Sequence, residues 1–400
     1  MFFCLIYILF VSCTILCGQL YVGPMSLRQY VTIIMFISFL FKYRALFFDK
    51  HCLLLLLFLI PYGITSVIYN HENLFIYNII GTYFVAYVGY WATYIIKKCY
   101  SLDILIYSIV FVGCIDASIT ILQVLNNPLA LNLGLLFNPE SERTLELIED
   151  SGSLNFGSFS ISGLVGAVYN GYLLLIASIL SVFLLVKYNK IVKIIPYLLC
   201  FVASFLAQQR FAFYMNILVL LFICYKYFIS LTYNKKLFFI TFLLILALYV
   251  VPSLISFFES TNMRYFSSGS VTDNVRIQLF EQCEEYISSH FFDANIHHYN
   301  ESHIYPPHNL FYNLFVYGGV LGVLPIMIML YFHLKTSVRL ILLKLNSNTV
   351  VYISLALALI AFTANSLTHN NSVISGDILY WLLWGAISTN KVLRINKFHL

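Results

Sequence analysis

Residues 102–125 read LDILIYSIVFVGCIDASITILQVL, an apolar run with one carboxylate in its first turn, Asp103, and one in its interior, Asp116. At about 1.5 Å per residue, a helix of about 20 apolar residues crosses the roughly 30 Å hydrocarbon layer of a bilayer. The run therefore predicts a membrane span. The same ruler finds Phe2–Tyr21, Tyr30–Phe41, Leu53–Tyr69 and Leu74–Ile96 before it. After it come Ile161–Val186, Ile194–Ala207, Phe211–Tyr225, Leu237–Ile255, Leu310–Phe332, Thr349–Leu367 and Val373–Thr389, the shortest of which borrow flanking residues. Composition agrees: of 400 residues 61% are hydrophobic and 10% charged, with a mean hydropathy of +0.87. Soluble domains carry about 25% charged residues. The expected class is an all-α polytopic membrane protein with about 12 transmembrane helices, forming a single integral membrane domain over residues 1–400.

The 22 basic residues against 17 acidic ones give only a mild positive balance, which argues against a nucleic-acid partner. Eight of the nine cysteines lie in or beside apolar runs as small fillers, and Cys283 alone falls in a long polar segment. No CxxC pair marks a metal or redox site. The opening MFFCLIYILFVSCTILC lacks the basic region of a secretory signal and reads as the first span.

Charge orients the spans, because cytoplasmic loops retain Lys and Arg. Alternate connections carry Lys42, Arg44 and Lys50; Lys97 and Lys98; Lys187, Lys190 and Lys193; Lys226, Lys235 and Lys236; and Lys335, Arg339 and Lys344; the tail adds Lys391, Arg394 and Lys397. Both termini are thereby expected in the cytoplasm. Two long connections face outward: 126–160, which is acidic, and 256–308. Loops of the second one's length are usually functional or folded.

All 14 lysines fall on the cytoplasmic side, whereas the outward basic residues are all arginine: Arg28, Arg143, Arg210, Arg264 and Arg276. Arginine presents a permanently charged planar fork that grips phosphate through two parallel hydrogen bonds. The split points to a diphosphate site at the outer face, against the plainer reading of pairing with outward carboxylates. Arg210, in Ala207-Gln208-Gln209-Arg210, stands at a hairpin too tight for a solvated loop, where a charge needs a partner or water. On a 100° wheel Arg276 shares a face with Leu279, Phe280, Cys283, Tyr286, Ile287 and His290, opposite Gln278, Glu281, Gln282, Glu285, Ser288 and Ser289. That pattern predicts an amphipathic helix lying on the outer leaflet or covering the mouth of the bundle.

The long loop ends Tyr305-Pro306-Pro307-His308-Asn309, followed by LFYNLFVYGGVLGVLP. The prolines close the loop and set a helix start, with His308 and Asn309 at its anion-favouring end. Gly318, Gly319 and Gly322 read as a flat packing stripe. The order His308-Asn309, nine residues, Gly319, two residues, Gly322 resembles the ligase pattern of the bacterial O-antigen polymerase and O-antigen ligase superfamily of polytopic glycosyltransferases. The span count, the late outer loop, Arg210 and Arg276 resemble that group as well. The hairpin departs from it, reading Gln-Gln-Arg where many relatives show Ser-Arg.

The resemblance implies a metal-independent glycosyltransferase in a bacterial inner membrane, with its site facing the periplasm. A polyprenyl-diphosphate-linked glycan would be transferred onto a lipid-linked repeat unit without a cofactor. The implied partners are the polyprenyl-diphosphate-linked oligosaccharides, the lipid bilayer and a chain-length regulator protein. Arg210, Arg276 and Arg264 would hold the diphosphate. His308 would deprotonate the acceptor or donate a hydrogen bond to the diphosphate, unless it only caps the helix, and Asn309 would bind beside it. His297, His298, Glu301 and His303 match no helical metal motif, and no metal is expected. Asp116 must face the bundle interior, pairing with Arg210, acting as a base, or being held by Ser118 and Thr120. Asn365, His369, Asn370 and Asp377 would line an acceptor groove. A ligase acting on lipid A-core is the alternative within the class. A lipid-linked-oligosaccharide flippase is the alternative outside it, although transporters favour midplane polar features and paired repeats.

Overall fold

The computed structural model describes residues 2–18, 20–23, 25–47, 73–137, 163–188, 194–207, 210–230, 271–294, 298–300, 309–367 and 377–388, with short stretches between 232 and 248. Within these ranges the side chains of Arg210 and of residues 271–277 lie outside the description. The described chain is mostly helical. Its elements are α1 (Phe2–Leu16), β1 (Tyr21–Val22), β2 (Met25–Ser26), α2 (Leu27–Phe47), α3 (Asn73–Cys99), α4 (Asp103–Val124) and α5 (Pro128–Phe137). Then follow α6 (Ala167–Tyr188), α7 (Ile195–Leu206), α8 (Arg210–Ser230), α9 (Val271–Ser289), α10 (Leu310–Ile341), α11 (Val350–Ser366) and α12 (Ile378–Ile387).

Three stretches are long and apolar enough to cross a membrane: Asp103–Val124, Tyr169–Tyr188 and Gly318–Ile341. Several others are shorter apolar helices, α1, α7, α11 and α12 among them. These features suit a helical membrane protein. The expected span Leu53–Tyr69 lies outside the described residues, as does most of Leu237–Ile255. Two features depart from the sequence reading. A small antiparallel hairpin, β1 paired with β2, joins α1 to α2. The connection expected from residue 126 onward begins with the ten-residue helix α5. Asn127 starts it, its Oδ1 accepting from the N–H groups of Leu129 (3.1 Å) and Ala130 (3.2 Å).

Contacts divide the chain into two compact units. The first comprises Met1–Val112, Val271–Leu343 and Val351–Leu400. Here α1, α2, α3 and α12 pack through large aromatics, with Tyr7, Phe10, Phe39, Trp91 and Trp381 fully buried. Tyr7 and Thr93 share a hydroxyl hydrogen bond of 2.7 Å. In the same unit His333 of α10 is buried between α11 and α12. Its Nδ1 lies 2.6 Å from the Tyr380 hydroxyl and its Nε2 lies 3.3 Å from Thr363 Oγ1. The Thr363 hydroxyl spends its one proton on Leu359 O at 2.9 Å. His333 Nε2–H therefore donates to Thr363, and in the neutral ring Nδ1 accepts from Tyr380.

The second unit is Gly113–Ser270 with Lys344–Val350. Its core joins α4, α6 and α7 through small side chains, Ala117, Ala177, Cys200 and Ala203, around Leu174. Small residues let membrane helices approach closely. Across α6, α7 and α8, Ser178 donates to Asn216 Oδ1, and Asn216 Nδ2 donates to Ser204 Oγ at 3.4 Å.

Candidate functional site

The helix that carries Arg276 forms with the faces the wheel predicts. Along α9, Leu279, Cys283 and Tyr286 are buried and Phe280, Ile287 and His290 half-buried, whereas Gln278, Glu281, Gln282, Glu285, Ser288 and Ser289 are exposed. Its apolar face meets protein. Cys283 and Tyr286 form one cluster with Ala294, Tyr299 and Val316, flanked by Tyr312 and Phe315. The described part of α9 thus lays its apolar face on the residues that follow it and on α10.

Two ring contacts join α9 and the turn after it to the first turns of α10. Phe280 lies 5.6 Å from Tyr312 and Phe291, just beyond α9, lies 5.3 Å from Phe315. The Tyr312 hydroxyl donates to Glu284 Oε1 at 2.6 Å, and that carboxylate holds the phenol neutral, pushing its pKa up to about 12. Beneath, Cys283 Sγ and Tyr299 Oη lie 3.1 Å apart, and burial raises both groups above their ordinary values.

Two members of the His–Asn–Gly–Gly pattern have backbone roles. Asn309 is the N-cap of α10: its Oδ1 accepts from Phe311 N at 2.8 Å, and its Nδ2 donates to Leu367 O, at the end of α11, at 3.1 Å. Gly319 interrupts α10 with φ 57° and ψ −175°, a conformation essentially reserved for glycine. The break turns the Val320 N–H toward Phe291 O at 3.4 Å. Gly318, Gly319 and Gly322 are all buried, and Gly319 in addition divides the helix. Periodicity alone does not show a break, because the apolar pattern continues across it.

Asp116 is fully buried on α4, in the second unit. Its Oδ1 accepts from Leu164 N at 2.7 Å, while Oδ2 meets no hydrogen-bond partner among the described residues. Gln123 Nε2 donates to Gly163 O at 3.0 Å. Thr120, one turn from Asp116, accepts from Asn170 Nδ2 at 3.2 Å. Of the two residues expected to hold the carboxylate, Ser118 donates to Cys114 O and Thr120 to the backbone of Asp116. The sequence reading named Thr120 and missed Gln123 and Asn170. The signal for Gln123 was present, since positions 116, 120 and 123 share one helical face.

Among the proposed site residues, Arg276 lies on α9 and Asn309 caps α10, and these two helices meet at Phe280 and Tyr312. Arg210 opens α8 right after the tight turn that ends α7 at Ala207, in the second unit with Asp116. His308, Arg264, His297, Glu301, His303, His369 and Asn370 lie outside the described residues. Asn365 is buried near the C-terminal end of α11 and Asp377 is buried just before α12. Among the described residues no group of three or more His, Cys, Asp or Glu is arranged to hold a metal. Compared with protein-family models and with curated proteins, the chain matches neither a family nor a known protein.

Proposed function

We propose that the chain is a metal-independent glycosyltransferase of the bacterial inner membrane, with twelve spans and both termini in the cytoplasm. In this reading it transfers a polyprenyl-diphosphate-linked glycan onto a lipid-linked repeat unit at the periplasmic face. The observation that carries the reading is the contact between α9, the helix of Arg276, and the first turn of α10, where Phe280 and Tyr312 pair at 5.6 Å and which His308-Asn309 precedes in sequence. A guanidinium and an imidazole suit the reaction. The first stabilises the departing diphosphate, while the second orients or deprotonates the acceptor hydroxyl. A chain-length regulator is the expected protein partner.

A second reading, a lipid-linked-oligosaccharide flippase, draws support from Asp116, because transporters place buried carboxylates beside broken backbone. Deletion in the native host separates the readings. Loss of the polymerase leaves single repeat units attached to the lipid A-core. Loss of the ligase leaves bare core and accumulated lipid-linked polymer, and loss of a flippase leaves lipid-linked units on the cytosolic face. Arg276→Ala and His308→Ala should each reproduce the polymerase phenotype at normal protein level. Long chains from both variants contradict the assignment.

A further inference from the structure

We infer that α5 is a re-entrant helix that turns back into the bilayer beside the end of α4, with its leucine face against lipid acyl chains. The inference is independent of the proposed enzymatic activity. It starts from α4, whose 22 residues are long and apolar enough to span. The chain reverses immediately after it. Asn126 adopts φ 55°, its N–H donates to Gln123 O at 3.0 Å, and Asn127 N–H donates to Leu122 O at 3.0 Å. The returning helix is tied to α4, as Gln123 Nε2 also reaches Ala130 O at 3.2 Å.

The depth of that return is set by Gly134. A Cβ built on Gly134 would stand 2.5 Å from Gln123 Nε2 and 3.2 Å from Gly163 O. The peptide of that same Gly163 oxygen donates through Leu164 N to Asp116. Gly134 therefore packs on the Gln123 side chain and the Gly163 carbonyl, beside the last turn of α4.

The residues of α5 suit lipid. PLALNLGLLF has no charge, its buried positions are the small Ala130 and Gly134, and its exposed positions are Pro128, Leu129 (70%), Asn132 and Leu136 (63%). A helix in water buries leucine and exposes small groups; this one buries its small residues and exposes leucine, with Asn132 the one polar side chain on that face. Helices packing in hydrocarbon bury small residues in the same way. The segment it meets obeys the same rule. Non-helical backbone at membrane depth survives only where protein covers it and satisfies its polar groups. Gly163, Leu164 and Gly166 are buried, and Asp116 and Gln123 supply the partners of the Gly163–Leu164 peptide.

Leu129→Cys and Leu136→Cys, each in the full chain in native membranes, test the placement. A charged, membrane-impermeant maleimide is added to both membrane faces, and the parent chain gives the background of its native cysteines. Both new thiols should react about tenfold or more slowly than after solubilisation in SDS, because the charged reagent stays in water and the reactive thiolate forms there. Fast labelling by the charged reagent overturns the inference. Leu136→Trp in brominated phospholipid gives a second readout. Quenching of its added emission supports lipid contact, and its absence contradicts it.

Discussion

Asp116 and Gln123 grip opposite ends of one peptide group: the carboxylate accepts the Leu164 N–H at 2.7 Å and the amide donates to the Gly163 carbonyl at 3.0 Å. Their seven-residue spacing places both on one face of α4, two turns apart. Gly163 fits between them with φ 56°, and a Cβ there would stand 2.5 Å from Asp116 Oδ1. On this account Asp116 works through backbone, and the account separates three substitutions. Asp116→Asn keeps the acceptor and should leave the melting temperature and the product near normal. Asp116→Ala strands a buried N–H and should cost about 1–3 kcal/mol. Gly163→Ala should destabilise as well, through the contact and the positive φ. Thermal unfolding of purified protein checks the order. Loss of activity in a stably folded Asp116→Asn would instead make the carboxylate a catalytic base.

At Gly319 the pattern residue and the helix break coincide. An alanine forced into φ 57° and ψ −175° costs about 1–3 kcal/mol. Gly319→Ala should therefore lower the melting temperature and speed hydrogen exchange at Val320, whose N–H the break directs to Phe291. Unchanged exchange at Val320 would show that the break is dispensable.

Tyr312 fastens α9 to α10 through Glu284. Tyr312→Phe removes one exposed hydroxyl-to-carboxylate bond, worth about 1 kcal/mol or less. It should raise exchange along α9 while leaving the α1–α3 core protected. The pH dependence follows from the phenol's pKa, raised to about 12. A folded-state value above the unfolded one, about 10, stabilises fully below the unfolded value and loses that contribution as pH rises through the folded one. The stability difference between parent and Tyr312→Phe should thus be flat through neutral pH and shrink only in strong alkali. A difference that vanishes near neutrality contradicts the latch.

For His333 the hydroxyl arrangement predicts unequal costs. Tyr380→Phe leaves the buried Nδ1 without its donor and should cost about 1–3 kcal/mol. Thr363→Ser keeps both oxygen roles and should cost less. Denaturant unfolding of the two variants and the double mutant measures this. Equal losses would overturn the tautomer assigned here.

Much of this was legible along the chain, and the reasons differ by element. The buried and exposed faces of α9 follow from a 3.6-residue period that both settings of the helix share. Helix placement followed hydropathy, because lipid and buried core both require apolar residues. Two features escaped. Nothing in a ten-residue apolar stretch tells an aqueous loop from a returning helix, since the evidence for α5 lies in Gln123 and Gly163, the latter 40 residues away from the former. Likewise Asp116 announced a buried partner without naming it, because Leu164 contributes only its backbone, which no side-chain motif reveals.

The central claim, that this chain transfers glycan between lipid diphosphates, is tested most directly with purified protein in liposomes holding a single defined polyprenyl-diphosphate repeat unit, with chelator present. The account predicts lipid-linked dimers and longer chains, absent with His308→Ala and strongly reduced with Arg276→Lys, which keeps the charge but loses the fork. A repeat unit that crosses the bilayer but never lengthens, or lengthening that survives in both variants, would contradict it.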